Sequence, residues 1–254
     1  MLIMDTTSEG SIRRQCYIWF ADSPIRPSGY DTVVFREASF EISNDHFTPQ
    51  PFPTLFSDLR LSEEELWKKL HKGKNKDIRL ARNRGWSFSW GRSSADIERF
   101  HALQTEFAAS KGYKPPFSLS VLKRNAEHCL FVFGDDKEGR TVCWISYVLD
   151  KSIARPLFTG YDLTYNKSAR GYGTTLMTWE MILHFKKQGF EIYDYGGAPV
   201  DPTSPGYSIT KFKLAFGGTL ETRFDYVCRY PLSRPKRLWR QLALRAKNLL
   251  AVIF

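Results

Sequence analysis

The sequence is poor in cysteine and histidine, and this already excludes several kinds of protein. Its four cysteines, Cys16, Cys129, Cys143 and Cys228, lie far apart and form no C-x-x-C pair. This spacing argues against a zinc ribbon or a disulfide framework and is compatible with a reducing compartment. The five histidines form no H-x-x-x-H pair. We therefore expect no metal site.

Long apolar runs are also missing. None approaches the 18 residues that a membrane-spanning helix needs, and the first residues do not resemble a secretory signal. With 42% hydrophobic and 25% charged residues, the composition is that of a globular protein rather than a disordered one. These absences favour a cytoplasmic protein, and the length of 254 residues predicts one large domain, or one domain with a substantial appendage.

Acidic residues are too few to balance the basic ones, and the net charge is +10. Residues 68–84 carry eight basic side chains and one acidic one, and residues 226–254 carry seven basic side chains and no acidic one. Each segment is thus +7, so the rest of the chain sums to −4. Such basic segments predict a polyanionic partner, either nucleic acid or an anionic lipid surface.

Residue patterns predict alternating strands and helices. We expect strands at 16–20, 32–42, 54–59, 86–90, 128–134, 140–149, 153–161, 190–195 and 219–230. We expect helices starting near residues 63, 75 and 93, then at 118–127, 173–188, 206–214 and 234–254. The proline-rich stretch 44–53 is predicted to be a loop, and Gly73 is predicted to end the first helix.

The succession of strand 153–161, helix 173–188 and strand 190–195 is a β-α-β unit, which requires a parallel strand pair. The fold class is therefore predicted as α/β, or α+β with a mixed sheet. We divide the chain into a strand-rich extension (1–60), a main domain (61–230) and a basic C-terminal helix (231–254).

A glycine-rich segment at Arg170, Gly171 and Gly173 is predicted to open the central helix. Free backbone N–H groups and the helix dipole make such a turn an anion-binding site, to which Arg170 adds charge. The alternative is a strand-to-helix turn that simply needs glycine.

Four further side chains lie at the ends of predicted strands, where α/β sheets bind ligands. Asp194 stands before two glycines with Tyr195 beside it, and Tyr161 and Asp162 end the strand 153–161. They are candidates for binding an amine or relaying its proton, or else for packing and capping. Lys213, next to Phe212, is a candidate for stabilising an oxyanion or a phosphate, or else a solvated surface residue.

The basic segments suit two kinds of surface. In 68–84, the candidates for RNA or phosphate contact are Lys68, Lys69, Lys72, Lys74, Lys76, Arg79, Arg82 and Arg84. A solvated helical hairpin is the alternative.

In the C-terminal segment, Trp239 and Leu242 fall on one helical face and Arg240 and Arg245 on others. This pattern is typical of an interfacial membrane helix. Docking of the helix on the protein's own core is the alternative.

Four stretches, taken in order, resemble the FemAB family of aminoacyltransferases within the GNAT acyltransferase superfamily. They are residues 61–82, 176–189, 193–197 and 212–218, and the resemblance covers about 61–224. It implies a GNAT-like fold and transfer of an aminoacyl group from aminoacyl-tRNA to the amine of a cell-wall precursor, often lipid II. It also places Phe212 and Lys213 near the reacting ester and implies no bound cofactor.

The chain departs from that family in two places. The 60 residues before Leu61 are too few for a complete first GNAT-like domain, although they could form a truncated one. Thr159 precedes Gly160 where the family often has tyrosine. The stretch from Tyr161 to Lys167 is also similar to single-domain GNAT relatives of polysaccharide pathways, some of which use acyl-CoA.

Aminolysis of an ester or thioester needs no protein nucleophile, and no Ser-His-Asp or Cys-His pattern is present to supply one. The sequence therefore predicts an acyltransferase at the inner face of the membrane, with aminoacyl-tRNA as donor, a lipid-linked acceptor and an anionic membrane surface as partners. One alternative is an acyl-CoA-dependent N-acyltransferase acting on an amino sugar. Another is a non-catalytic RNA- or membrane-binding module.

Overall fold

The computed structural model describes residues 1–230, which form two compact units. One consists of residues 3–50 together with residues 224–230, and the other of residues 51–223. The domain boundary at residue 60 stays a prediction, and in the structure the end of the last strand belongs with the N-terminal residues. The membrane-contact residues Trp239, Arg240, Leu242 and Arg245 lie outside the described residues. Within residues 1–230, no helix has the length and apolar character needed to cross a bilayer.

The smaller unit is built from four strands. They are β1 (Leu2–Asp5), β2 (Gln15–Trp19), β3 (Thr32–Ala38) and the second half of β10 (Thr219–Arg229), in that order. β2 and β3 are parallel, and β3 and β10 are antiparallel. The buried rings of Phe35 and Tyr226 meet edge to face with 6.2 Å between centroids. Aromatic residues therefore supply much of the core of this unit.

The larger unit contains the remaining strands and all the described helices. In its sheet the first half of β10 is followed by β4 (Gln50–Asp58), β9 (Ile192–Gly197), β8 (Ile153–Tyr161), β7 (Thr141–Leu149), β6 (Cys129–Asp135) and β5 (Ser87–Gly91). The helices are α1 (Glu63–Lys69), α2 (Lys72–Arg82), α3 (Ser94–Ser110), α4 (Leu119–Arg124), α5 (Lys167–Lys187) and α6 (Tyr207–Leu214), with a short 3₁₀ turn at 126–128. β8 and β9 are parallel and α5 connects them, so the predicted β-α-β unit and mixed-sheet fold class are confirmed.

Helix α5 lies at the centre of the core of this unit. Its side chains Leu176, Met177, Trp179, Ile182 and Phe185 are all buried. Apolar residues spread over most of the helix surface predict this burial between layers. The capping boxes Ser62–Glu65 and Ser93–Asp96 fix the starts of α1 and α3 where the sequence predicts them.

Two local predictions are wrong. Strand β4 begins at Gln50, inside the predicted proline-rich loop, and the Pro53 carbonyl accepts a hydrogen bond from the Ala198 N–H at 2.7 Å. A proline carbonyl can still join a ladder even though its nitrogen cannot donate. Gly73 lies inside α2, and the first helix ends earlier, because Leu70 is its C-cap and His71 caps α2.

Candidate functional site

The parallel strands β8 and β9 stop pairing soon after they begin to pair. The β8–β9 ladder consists of Ile153 against Ile192 and Ala154 against Tyr193, and then ends. Each strand continues on its other side, β8 against β7 as far as Tyr161 and β9 against β4 as far as Gly197. The facing edges past the ladder therefore present backbone polar groups that need partners. We call the part of β9 beyond this ladder, with the side chains that contact it, the strand cleft.

Asp194 is buried on β9 and fixes the backbone at the strand cleft. Its Oδ1 accepts hydrogen bonds from the Gly196 N–H at 2.7 Å and from the Thr54 hydroxyl. Its Oδ2 is buried and has no hydrogen-bond partner among the described residues. A buried polar atom left unpaired is unfavourable and calls for an explanation, of which a role in the site is one.

Lys213, which lies on α6, contacts the same end of β9 as Asp194. Its Nζ donates to the Gly196 carbonyl at 3.0 Å and to the Gly197 carbonyl at 2.6 Å. Lys213 lies in the last turn of α6, so α6 and β9 together position this ammonium. Two predicted catalytic residues, Asp194 and Lys213, thus both form hydrogen bonds with the backbone of Gly196.

Gly196 has a backbone conformation that favours glycine. Its φ is +72°, in the left-handed region where a side chain is strained. A Cβ atom at Gly196 would also lie 3.1 Å from Nη2 of Arg155 on β8. Arg155 is nearly buried, with 9% of its surface exposed, and its Nη1 donates to the Pro156 carbonyl at 2.9 Å. It adds a second cation to the strand cleft.

The Phe212 ring lies against one cationic side chain. Nζ of Lys74, on α2, stands 4.0 Å from the centroid of the Phe212 ring and donates to Thr175 Oγ1 at 3.0 Å. Lys74 is half-buried, and desolvation lowers its pKa despite the opposing charge of Asp77. Lys74 therefore faces inward, unlike most basic residues of 68–84.

Tyr195 is placed in the core rather than in an open cleft. Its ring packs near those of Tyr193 and Phe216, with centroids 4.8 Å and 5.8 Å away. Its hydroxyl is 3.0 Å from the Ser57 hydroxyl. Burial raises the pKa of the Tyr195 phenol, and the hydrogen bond to Ser57 offsets this only in part. Proton relay by this phenol is therefore disfavoured.

Tyr161, Asp162 and Arg170 form a second group at the far end of β8. The Arg170 guanidinium lies 4.6 Å from the Tyr161 ring centroid, and its Nη1 donates to the Leu163 carbonyl at 3.2 Å. Asp162 pairs with Arg140, whose Nε is 2.9 Å from Asp162 Oδ2. Burial acts to raise the pKa of Asp162, but hydrogen bonds from Thr164 and Arg140 outweigh it and lower the pKa.

This second group lies too far from Asp194 for both to contact the same substrate atom. Tyr161 is seven residues past the last β8–β9 pair and Asp194 is one residue past it. At about 3.3 Å per residue, the two differ by roughly 20 Å along the strand direction. Tyr161 and Asp162 instead line a separate cavity of about 390 Å³ together with Phe107 and Trp144.

The predicted glycine turn is inside a helix. α5 begins at Lys167, six residues before the predicted start, because Asn166 caps it. Asn166 Oδ1 accepts from the N–H groups of Ser168 at 3.0 Å and Ala169 at 3.1 Å. Gly171 is exposed one turn into the helix, and Gly173 packs against the Trp86 ring, where a Cβ would come within 2.3 Å. The prediction of free N–H groups at these glycines is wrong.

The basic residues of 68–84 are mostly exposed on α1 and α2. Lys68 pairs with Glu64 at 2.7 Å and Arg82 with Glu180 at 3.0 Å. Lys72, Lys76 and Arg79 line a shallow cavity of about 360 Å³ on the outer face of α2, and Lys69 lies against Gly217. The predicted polyanion contact thus corresponds to one exposed helix face.

Sequence analysis missed one cation of the site, Arg155, and named a second, Lys74, only as one of the basic residues of 68–84. Arg155 interrupts the apolar strand 153–161, and a charged residue inside such a strand is a usable signal. Lys74 could not be distinguished from the other lysines of its segment, because only the packing of α2 against α5 turns it inward.

The chain was compared with known families and proteins. Residues 68–203 match the family model described as the acetyltransferase (GNAT) domain. That range is more than half of the 254 residues. No curated protein matches the chain.

Several solved structures have a similar fold. FemX is 13% identical with a TM-score of 0.61, and the alignment covers 90% of this chain and 83% of FemX. L-PGS from Bacillus licheniformis is 13% identical with a TM-score of 0.55, over 87% and 79% of the two chains. A C-terminal domain named for a lysylphosphatidylglycerol synthetase of Agrobacterium fabrum is 10% identical with a TM-score of 0.55, over 84% and 77%.

At such low identities the likeness concerns the fold alone, and it agrees with the predicted GNAT-like architecture. The family match is more specific, because it rests on the sequence of the unit that holds the strand cleft. Since it spans more than half of the chain, the chain belongs to the GNAT acetyltransferase-domain family and is an acyltransferase.

Proposed function

We propose that this chain transfers an aminoacyl group from aminoacyl-tRNA to an amine on a lipid-linked envelope precursor. The observation that carries the proposal is the Lys213 ammonium, fixed by the Gly196 and Gly197 carbonyls at the end of β9. Phe212 stands beside it, as the FemAB resemblance implies. A cation held rigidly in this way is suited to stabilise charge that develops on a reacting ester.

Direct attack by the acceptor amine is the reaction that suits this site. All four cysteines are buried, and burial raises the pKa of Cys129 to about 12, so a thiolate nucleophile is disfavoured. In direct aminolysis the amine nitrogen bonds to the carbonyl carbon, and the bond from that carbon to the ribose oxygen breaks. The amine loses a proton to solvent and the ribose oxygen gains one.

Within this reaction the site residues have separate roles. Lys213 stabilises the oxyanion of the tetrahedral intermediate. Asp194 is a positioning residue, because it is fully buried and acts on Gly196 rather than on substrate. Arg155 and Lys74 add positive charge near the donor phosphates. Tyr161 and Asp162 bind a remote part of a substrate in the cavity at the end of β8, and Arg170 holds the Tyr161 ring from one side.

The N-terminus of α5 supports tRNA rather than CoA as donor. Asn166 already occupies the N–H groups of Ser168 and Ala169, which a CoA pyrophosphate would otherwise bind. The acyl-CoA alternative has one observation in its favour, since the matching family model is described as an acetyltransferase.

A lipid-linked acceptor is supported by the names of two proteins of similar fold. One is L-PGS and the other is a domain named for a lysylphosphatidylglycerol synthetase, and the product of such a synthetase joins an amino acid to a lipid. The basic C-terminal segment predicted to contact an anionic surface would bring this chain to the membrane. We place the protein at the inner membrane face on that basis.

A transfer assay tests the proposal. Purified protein is incubated with membranes and tRNA charged with radiolabelled amino acids, and lipid-extractable label is counted with and without RNase. Label that RNase abolishes supports the proposal. Transfer that survives RNase and needs an added CoA thioester would establish the alternative donor. Mass spectrometry of envelope precursors from cells with and without the gene then identifies the acceptor by its added mass.

A further inference from the structure

An aromatic groove of about 510 Å³ lies between β5 and α5, outside the strand cleft. Trp86, Phe88 and Trp90 line it, and they alternate with serines in the sequence. Side chains two residues apart in an extended chain point to the same face, so the three rings form one stripe. Trp90 has 48% of its surface exposed. We call this feature the tryptophan groove.

Helix α5 holds the rings of the tryptophan groove in place. The Trp86 ring packs on Gly173, which has no side chain to displace it. The Trp90 ring lies against the His184 ring with 4.7 Å between centroids. The groove is therefore built by packing, yet the outermost ring keeps about half of its surface open to solvent.

The surroundings of the groove are cationic. Lys187 on α5 and Arg82 on α2 line it, and the acid Glu180 is paired with Arg82 at 3.0 Å. About one and two turns earlier on α2, Arg79 and Lys76 line another exposed cavity. The basic face of α2 thus leads into the groove. An apolar peptide or an acyl chain would use the rings but leave these charges unused.

We propose that the tryptophan groove binds single-stranded RNA, with a base stacked on Trp90 and backbone phosphates bound by Lys187, Lys76 and Arg79. Aromatic rings beside a basic track are the combination that binds unpaired nucleotides without reading their sequence. This inference rests on the proposed function, since its partner is the single-stranded 3′ end of the aminoacyl-tRNA donor.

The distance to the strand cleft suits that partner. Helix α2 touches both places, because Lys74 lies over Phe212 and Arg82 lines the groove. Eight residues of helix correspond to about 12 Å. An RNA end could therefore rest in the groove while its esterified terminus reaches Lys213.

The test measures binding of deacylated tRNA to the full-length protein. Trp90→Ala should weaken binding about tenfold, since stacking on one ring is lost. Trp90→Tyr, which keeps an aromatic ring, should restore most of the affinity and shows that the fold is intact. The matched control is Tyr113→Ala, because Tyr113 is equally exposed (46%) and lies beyond α3. A blunt RNA duplex should bind wild type and Trp90→Ala alike.

Salt dependence separates the rings from the cations. Lys187→Ala should reduce the slope of log K against log salt by about 0.7, the value for one lost single-strand phosphate contact. Trp90→Ala should lower affinity at every salt concentration and leave the slope unchanged. Lys114→Ala, which removes an exposed cation outside the groove, is the control.

The outcomes distinguish this inference from the proposed function. If wild type and Trp90→Ala bind tRNA equally well, RNA binding by the tryptophan groove is rejected. This holds even if transfer is sensitive to RNase, a result that would still support tRNA as the donor. Wild-type protein that binds no RNA, or that binds a neutral oligosaccharide through Trp90 instead, also overturns RNA binding by the groove. If RNA binding depends on Trp90 but transfer survives RNase, the tryptophan groove is supported as an RNA site. Aminoacyl-tRNA is then rejected as the donor.

Discussion

Lys213 and Asp194 meet on one residue. The Lys213 Nζ donates to the Gly196 carbonyl at 3.0 Å, and Asp194 Oδ1 accepts from the Gly196 N–H at 2.7 Å. The buried carboxylate therefore fixes the backbone that fixes the ammonium. Chemistry at Lys213 and packing at Asp194 are coupled through this glycine, and substitutions at the two residues should have different signatures.

Lys213→Ala should lower kcat for aminoacyl transfer by about 10²- to 10³-fold, the range for loss of one oxyanion-stabilising donor. KM for the donor should change less, because the ammonium acts mainly on charge that develops during reaction. Steady-state kinetics with charged tRNA measures both. Lys211→Ala is the matched control, since Lys211 lies on the same helix and is exposed. A kcat unchanged by Lys213→Ala would remove this residue from the chemistry.

Asp194→Ala should destabilise the fold as well as lower activity. It leaves the Gly196 N–H and the Thr54 hydroxyl without their acceptor, at about 1–3 kcal/mol for each buried group. Urea denaturation measures the loss in free energy of unfolding. Asp194→Asn keeps one acceptor oxygen and should be less destabilised. Exposed Asp201, whose carboxylate caps only Thr203, serves as the control, and equal losses at both aspartates would contradict the role assigned to Asp194.

Local signals were sufficient for most of the elements. The capping box at Ser62 and Glu65 marks the start of α1, and the alternation from Trp86 to Trp90 marks β5. Both signals depend on neighbours within a few residues, which the sequence displays directly. The start of α5 was missed because two glycines near Arg170 resembled a turn, although Asn166 is an ordinary N-cap.

Long-range packing was not visible in the same way. Asp194 and Lys213 are candidates on sequence grounds alone, but their meeting at Gly196 depends on how α6 returns to the end of β9. Likewise, the strand positions of Tyr161 and Asp194 do not show that the β8–β9 ladder ends after two pairs. The separation of the predicted site into two groups follows from that single feature.

The inward-facing Lys74 should make stability depend on pH in a particular direction. Desolvation lowers its pKa below the ordinary 10.5, so the folded protein binds this proton less tightly than the unfolded chain. Stability should therefore rise with pH between the lowered pKa and 10.5, where the unfolded chain holds more protons. Lys74→Met should raise the free energy of unfolding at pH 7, and its advantage over wild type should shrink as the pH rises through that window.

The control for Lys74 is Lys72→Met, one of the exposed lysines of the same helix. It should show neither the gain at pH 7 nor the convergence at higher pH in urea titrations. A loss of stability in Lys74→Met at pH 7 would mean that the Thr175 hydrogen bond and the contact with Phe212 outweigh desolvation. That result would contradict the sign expected here.

The two glycines of α5 should respond in opposite directions to the same substitution. Gly173→Ala places a methyl group where the Trp86 ring already lies, 2.3 Å from the nearest ring atom, so overpacking should cost about 1–3 kcal/mol. Gly171→Ala meets nothing within 4 Å and should stabilise the helix by up to about 1 kcal/mol, because alanine loses less backbone entropy. Thermal denaturation of both variants measures the difference.

Transfer activity separates packing from ligand binding, since alanine keeps the backbone N–H at both positions. Gly173→Ala should lose activity only as far as it loses folded protein or disturbs Trp86, and Gly171→Ala should retain it. Destabilisation by both substitutions to the same extent would contradict the packing of Trp86 on Gly173.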